Sequence, residues 1–173
     1  MYTASGISVA PCWYGWITPL TAVRVVALEF ARPMVAALND RSSPFSLVVT
    51  GEAELYSAAL AKIVGPQWIR THDVSSDREL LAVVEAGEAD AAVLDDSADW
   101  AVDVLRLLRM IRRLDSVLPV VVVTAHRDRP YLENALRLAA FSVVVRPLQL
   151  EQLLRQIQRI MARLDAALRN QRF

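Results

Sequence analysis

A single cysteine, Cys12, and two histidines far apart in the chain, His72 and His126, are the only thiol and imidazole groups present. An intramolecular disulfide is therefore excluded, and so is a zinc cluster built on thiolates. Lysine is nearly missing: Lys62 stands alone, and all the other basic residues are arginine. Net charge is missing too, because nineteen basic residues face nineteen acidic ones. No whole-chain field draws the protein to nucleic acid or to anionic lipid. No charge occurs before Arg24, so the basic start of a secretory leader is lacking, and Gly6, Pro11, Gly15 and Pro19 interrupt the stretch that a spanning helix would need. The expectation is a cytoplasmic chain with no nucleic-acid and no membrane role.

What is present is the composition of a folded protein, 54% hydrophobic and 22% charged over 173 residues, enough for one domain and an appendage. From residue 46 onward, short apolar runs alternate with amphipathic stretches, the pattern of a parallel α/β domain. Residues 46–49 form a first strand ended by Thr50 and Gly51. A helix over 52–64 would turn Leu55, Ala59, Leu60 and Ile63 inward, and Gly65-Pro66 closes it. Residues 68–74 read as a second strand, and Ser75 or Ser76 caps a helix that stops at Gly87. A third strand over 91–94 ends in Asp95-Asp96, followed by a helix over 100–114. Residues 119–123 hold four consecutive valines, which suit a strand covered on both faces. A helix over 129–139, a strand over 142–145 and a long helix from about 148 complete five βα units. Right-handed crossovers make these a doubly wound, flavodoxin-like sheet of five parallel strands in the order 2-1-3-4-5. Chemistry in such sheets lies at the carboxyl ends of the strands, which here carry Thr50, Gly51, Asp95, Thr124 and Arg146.

Three segments at those ends resemble the receiver domains of two-component response regulators (the CheY-like family). Asp90-Ala-Ala-Val-Leu-Asp95 is similar to the family's third strand, Leu118-Pro-Val-Val-Val-Val-Thr-Ala125 to its fourth, and Val143-Val-Val-Arg-Pro147 to its fifth. The resemblance covers about residues 46–160. It implies Asp95 at the phosphoacceptor position, Thr124 and Arg146 at the positions that bind phosphate oxygens, and Val143 where the family often has an aromatic that rotates on activation. It also implies a divalent cation held partly by two acidic residues after the first strand.

Those two positions read Thr50 and Gly51, and neither supplies an anionic ligand. Glu52 comes next but should already point into the helix. Arg146 replaces the family's lysine, keeping the charge and changing its shape. The loop after Asp95 lacks the usual proline and later glycine. The reading is of a degenerate, pseudo-receiver variant with no metal and no cofactor, Mg²⁺ entering only if phosphorylation survives. Without a metal, an ion pair between Asp95 and Arg146, direct or through water, would hold one conformation. Asp96 reads as solvated charge.

Outside residues 46–160 lie an N-terminal extension, 1–45, and a C-terminal extension of the last helix, 161–173. Leu150, Leu153, Ile157, Ile160, Leu164 and Ala167 repeat at heptad spacing. A helix running to about 170 is ~33 Å long at 1.5 Å per residue, against ~17 Å for a five-residue strand. Its last turns, with Met161, Leu164 and Leu168, would then expose an apolar stripe. In the N-terminal extension Val23, Val26, Phe30, Met34, Ala37 and Leu38 share a helical face, although 23–30 is β-branched enough to be a strand. Trp13, Tyr14 and Trp16 would cover the domain or bind a second chain. The expectation is a non-enzymatic module that binds protein partners and self-associates as a dimer through the C-terminal helix, the N-terminal extension, or both. The competing expectation is a phosphorylation-competent receiver with Asp95 as phosphoacceptor.

Overall fold

The structure, a computed structural model, describes residues 43–170, with side chains described through Ala167. The readings for residues 1–42, including Trp13, Trp16 and the choice between helix and strand at 23–30, lie outside the described residues. Five strands form one parallel sheet: β1 (Phe45–Val49), β2 (Ile69–Asp73), β3 (Ala91–Asp95), β4 (Val120–Thr124) and β5 (Ser142–Val145). They pair in the order β2-β1-β3-β4-β5, as expected from the βα count.

The helices are α1 (Ser57–Val64), α2 (Asp77–Glu85), α3 (Val104–Leu114), α4 (Arg129–Arg137) and α5 (Leu150–Asn170). Alternate strand residues feed two separate cores. Phe45, Leu47, Val49, Ala91, Val93, Val121 and Val123 pack with Leu60 of α1 and Leu153, Leu154, Ile157 and Ile160 of α5. Val48, Ala92, Leu94, Val120 and Val122 pack on the other face with Leu80, Leu107, Leu108 and Ile111 of α2 and α3. The central strands β1, β3 and β4 thus have two dry faces, which is why β4 needs valine at four successive positions, whereas the edge strands β2 and β5 bury one residue each.

Three local expectations are corrected. The stretch after β1 is not one α-helix but a 3-10 helix, Gly51–Tyr56, that continues as α1. Its tighter turn rotates the sequence, so Ala53, Ser57, Leu60 and Val64 face inward and Leu55 is 79% exposed. The helix expected from residue 100 starts instead at Val104, because Asp103 caps it by accepting from the Arg106 N–H at 3.0 Å. Met161, expected on an exposed stripe, is only 3% exposed and belongs to the core under α5. Leu164 is partly buried against the same core, and the side chain of Leu168 lies outside the described residues. Of the two serines offered as cap for α2, Ser76 accepts from the Glu79 N–H.

Candidate functional site

The carboxyl ends of β1, β3, β4 and β5 converge on one pocket of charge. Asp95 closes β3 with a side chain that is 0% exposed. One oxygen, Oδ1, accepts from the Ser97 N–H at 2.8 Å. The other, Oδ2, is buried with no hydrogen-bond partner among the described residues. Burial pushes the Asp95 carboxyl above the ordinary carboxylate range, against the lowering effect of the Ser97 hydrogen bonds and the Arg146 charge.

Thr50 and Gly51 sit beneath Asp95. The Thr50 hydroxyl oxygen accepts from the Asp95 N–H at 2.9 Å, so it ties β1 to β3 and carries no charge. Gly51 has φ +60, in the left-handed region, and a Cβ there would lie 2.5 Å from Ser97 Oγ and 3.0 Å from the Ala98 nitrogen. Ser97 is drawn onto this corner by accepting from the Glu52 N–H at 3.0 Å. The β3–α3 loop therefore fills the space into which an acidic side chain at position 51 would project. A hard divalent cation takes several oxygen ligands with carboxylates among them, and no group of three or more acidic, histidine or cysteine side chains among the described residues is disposed to hold one. The residues present do not fit the cation that the resemblance implies.

Arg146, at the end of β5, brings positive charge to the pocket instead. Its guanidinium pairs closely with Asp96 through Nη2, reaches Glu52 Oε1 at 3.4 Å, and holds Nε 3.9 Å from Asp95 Oδ1. Desolvation opposes the charged form, but the carboxylates of Asp96, Asp95 and Glu52 together hold the guanidinium more firmly protonated than usual. The expected Asp95–Arg146 pairing is present only as a long contact. The principal partner is Asp96, which is 15% exposed and not a solvated charge. Glu52 also turns back to the pocket from the first turn of the 3-10 helix.

Asp96 has further partners. Its Oδ2 accepts from the Thr124 hydroxyl at 2.5 Å and from the Ala125 N–H at 2.8 Å. Thr124 in turn accepts from the His126 N–H at 3.0 Å. Hydroxyl, backbone amide and guanidinium thus meet on one carboxylate. Tyr131 of α4 approaches the same threonine: burial pushes its phenol up, against the opposing effect of the neighbouring Thr124 side chain. Its ring stacks on His126 with centroids 4.2 Å apart. Val143 is partly buried, packed against the core on the α2–α4 side that Tyr131 also joins.

The strand-end residues Thr50, Gly51, Asp95, Thr124 and Arg146 are therefore brought together, whereas Leu164 lies far along α5 in sequence and outside this pocket. Asp96, Glu52 and Tyr131 escape a strand-end reading. The doubled aspartate after a fully apolar strand is the one local signal that could have flagged Asp96.

A family model described as the response regulator receiver domain matches residues 47–158. No curated protein matches the chain. Among solved structures, a CheY-like receiver domain protein from Methanospirillum hungatei superposes with a TM-score of 0.60 at 16% identity, covering 70% of this chain and 96% of that one. The CheX-CheY-BeF3-Mg complex from Borrelia burgdorferi gives 0.59 at 18% identity, with 70% and 92% covered. A response regulator from Burkholderia pseudomallei, with a phosphorylated aspartic acid and a calcium ion, gives 0.55 at 16% identity, with 71% and 72% covered. At these identities the superpositions speak for the fold.

Proposed function

Because this chain belongs to the response regulator receiver domain family, we propose that it is a signalling module that acts through protein partners, without enzymatic activity and without a Mg²⁺-dependent phosphorylation cycle. One observation carries the reading: the Thr124 hydroxyl, the Ala125 N–H and the Arg146 guanidinium are all engaged by the Asp96 carboxylate. These are the donors suited to phosphoryl oxygens, and an internal anion satisfies them permanently. Asp96 then serves as a built-in substitute for a phosphoryl group, and the switch threonine is held in its engaged position. The filled corner at Gly51 supports the same conclusion from the cation's side.

The partner surface on this reading is the one that Thr124 reaches, the β4–α4 loop with His126 and the start of α4 with Tyr131. CheY in the Borrelia complex is bound to CheX, so a protein partner is the natural class of target. Self-association through α5 would have to use the side chains past Met161, since that residue is taken by the core.

A second reading has one observation in its favour. Asp95 Oδ2 is unpartnered and could attack the phosphorus of a small phosphodonor, the donor's leaving group departing as the new O–P bond forms. Incubation with Mg²⁺ and acetyl phosphate, read by intact mass, separates the two. The expected result is no added phosphoryl group. A gain of one phosphoryl group that disappears in Asp95→Asn would establish the second reading and end the first.

A further inference from the structure

The opposite end of the sheet carries an apolar cleft of about 460 Å³, within the range of pockets that take a small aromatic ligand (~300–1,000 Å³). Phe141 and Ala140 enter it from the lead into β5, Leu118 from the lead into β4, and Leu164 and Ala167 from the last turns of α5. Val117 stands on its rim, 83% exposed. Its polar edge is cationic. Arg163 lies over the Phe141 ring at 5.8 Å. Arg112 donates to the carbonyls of Asp115 and Ala139, while its Nε is buried with no partner among the described residues. An apolar floor edged by guanidinium groups favours aromatic side chains, whose faces attract such cations.

We propose that the cleft is the docking site for residues 12–16 of this same chain, with Trp13 and Trp16 as the seated side chains. The chain enters the described structure at Ser43, immediately before β1. All five strands are parallel, so that entry lies at the same end of the sheet as Leu118 and Phe141. In the strand order β2-β1-β3-β4-β5, β1 is two places from β4 and three from β5, or ~10–15 Å at ~4.8 Å per strand. Residues 17–42 bridge that distance easily, reaching ~39 Å even if wholly helical. The chemistry also matches. The first 23 residues carry no charge, so they bring no ion to be desolvated in the cleft, and their aromatic cluster complements the arginine edge.

Cys12 is the only cysteine and adjoins Trp13, which makes the proposal directly testable on the full chain. Val117→Cys places a thiol on the exposed rim, and Ala101→Cys places one near the opposite end, where the loop leads into α3. Docking predicts an intramolecular crosslink with a short bis-maleimide in Val117→Cys, formed about tenfold faster than in Ala101→Cys, because seating raises the effective concentration of Cys12 at the rim above what the tether alone supplies. Adding Trp13→Ser and Trp16→Ser should bring the Val117→Cys rate down to that of the control. Equal rates in the two cysteine variants would overturn the proposal. So would crosslinks that appear only between chains and rise with protein concentration, which would instead give the cleft to a second copy.

Discussion

Asp96→Ala leaves the Arg146 guanidinium with only the long contact to Asp95 and the half-exposed Glu52, and strips Thr124 and Ala125 of their acceptor. Losing one member of a fully buried charge pair costs ~3–5 kcal/mol. Asp96 keeps some exposure, so about 2–3 kcal/mol is expected, seen as a lower urea midpoint with an unchanged slope. Asp95 behaves in the opposite sense. Its folded pKa is raised by burial, so the folded protein binds this proton more tightly than the unfolded chain does. Its stabilising share is complete below the ordinary carboxylate range and declines as pH rises through that range to the raised folded value. Above the window the ionised group opposes folding. Asp95→Asn removes the decline, so the variant should gain stability relative to the parent on going from acid to neutral pH. Urea midpoints across that interval check this, and a difference independent of pH would contradict the burial account.

The 3-10 helix after β1 and the β3–α3 loop oppose the rebuilding of a metal corner. Gly51→Asp forces a side chain into the left-handed region and against Ser97 and the Ala98 nitrogen. The expected outcome is a loss of about 1–3 kcal/mol with no rise in melting temperature on adding Mg²⁺; a Mg²⁺-dependent rise would show that the loop yields. These elements also mark where sequence reasoning reached its limit. Strand ends are legible because an apolar run must stop where its cover stops, and that logic finds Asp95, Thr124 and Arg146. The first residue of a loop is not legible in the same way. Asp96 turns into the pocket because its N–H bonds the Val123 carbonyl and the loop folds back on Gly51, arrangements that join residues distant in sequence. Leu55 is illegible for a related reason: a period of 3.6 turns it inward, but the chain there winds at 3 and leaves it exposed.

Across the whole molecule, two cores share one sheet. Ile157→Ala on the α5 side and Ile111→Ala on the α3 side each remove a fully buried side chain and should each cost about 3 kcal/mol. They lie on opposite faces with no shared neighbours, so the double variant should equal the sum to within about 0.5 kcal/mol and still unfold in a single transition. Two separate transitions would mean that the faces fold as independent units. The fold at this scale was the most readable part of the sequence, since the βα alternation and the valine run of β4 admit few other arrangements.

A carboxylate encoded in the chain cannot be removed by a phosphatase or withheld by a kinase. If Asp96 sets the posture of Thr124, every copy leaves the ribosome already speaking, and the message is carried by how many copies exist. Control then passes to synthesis, turnover and competition for the partner, where dosage does the work that reversible modification does elsewhere.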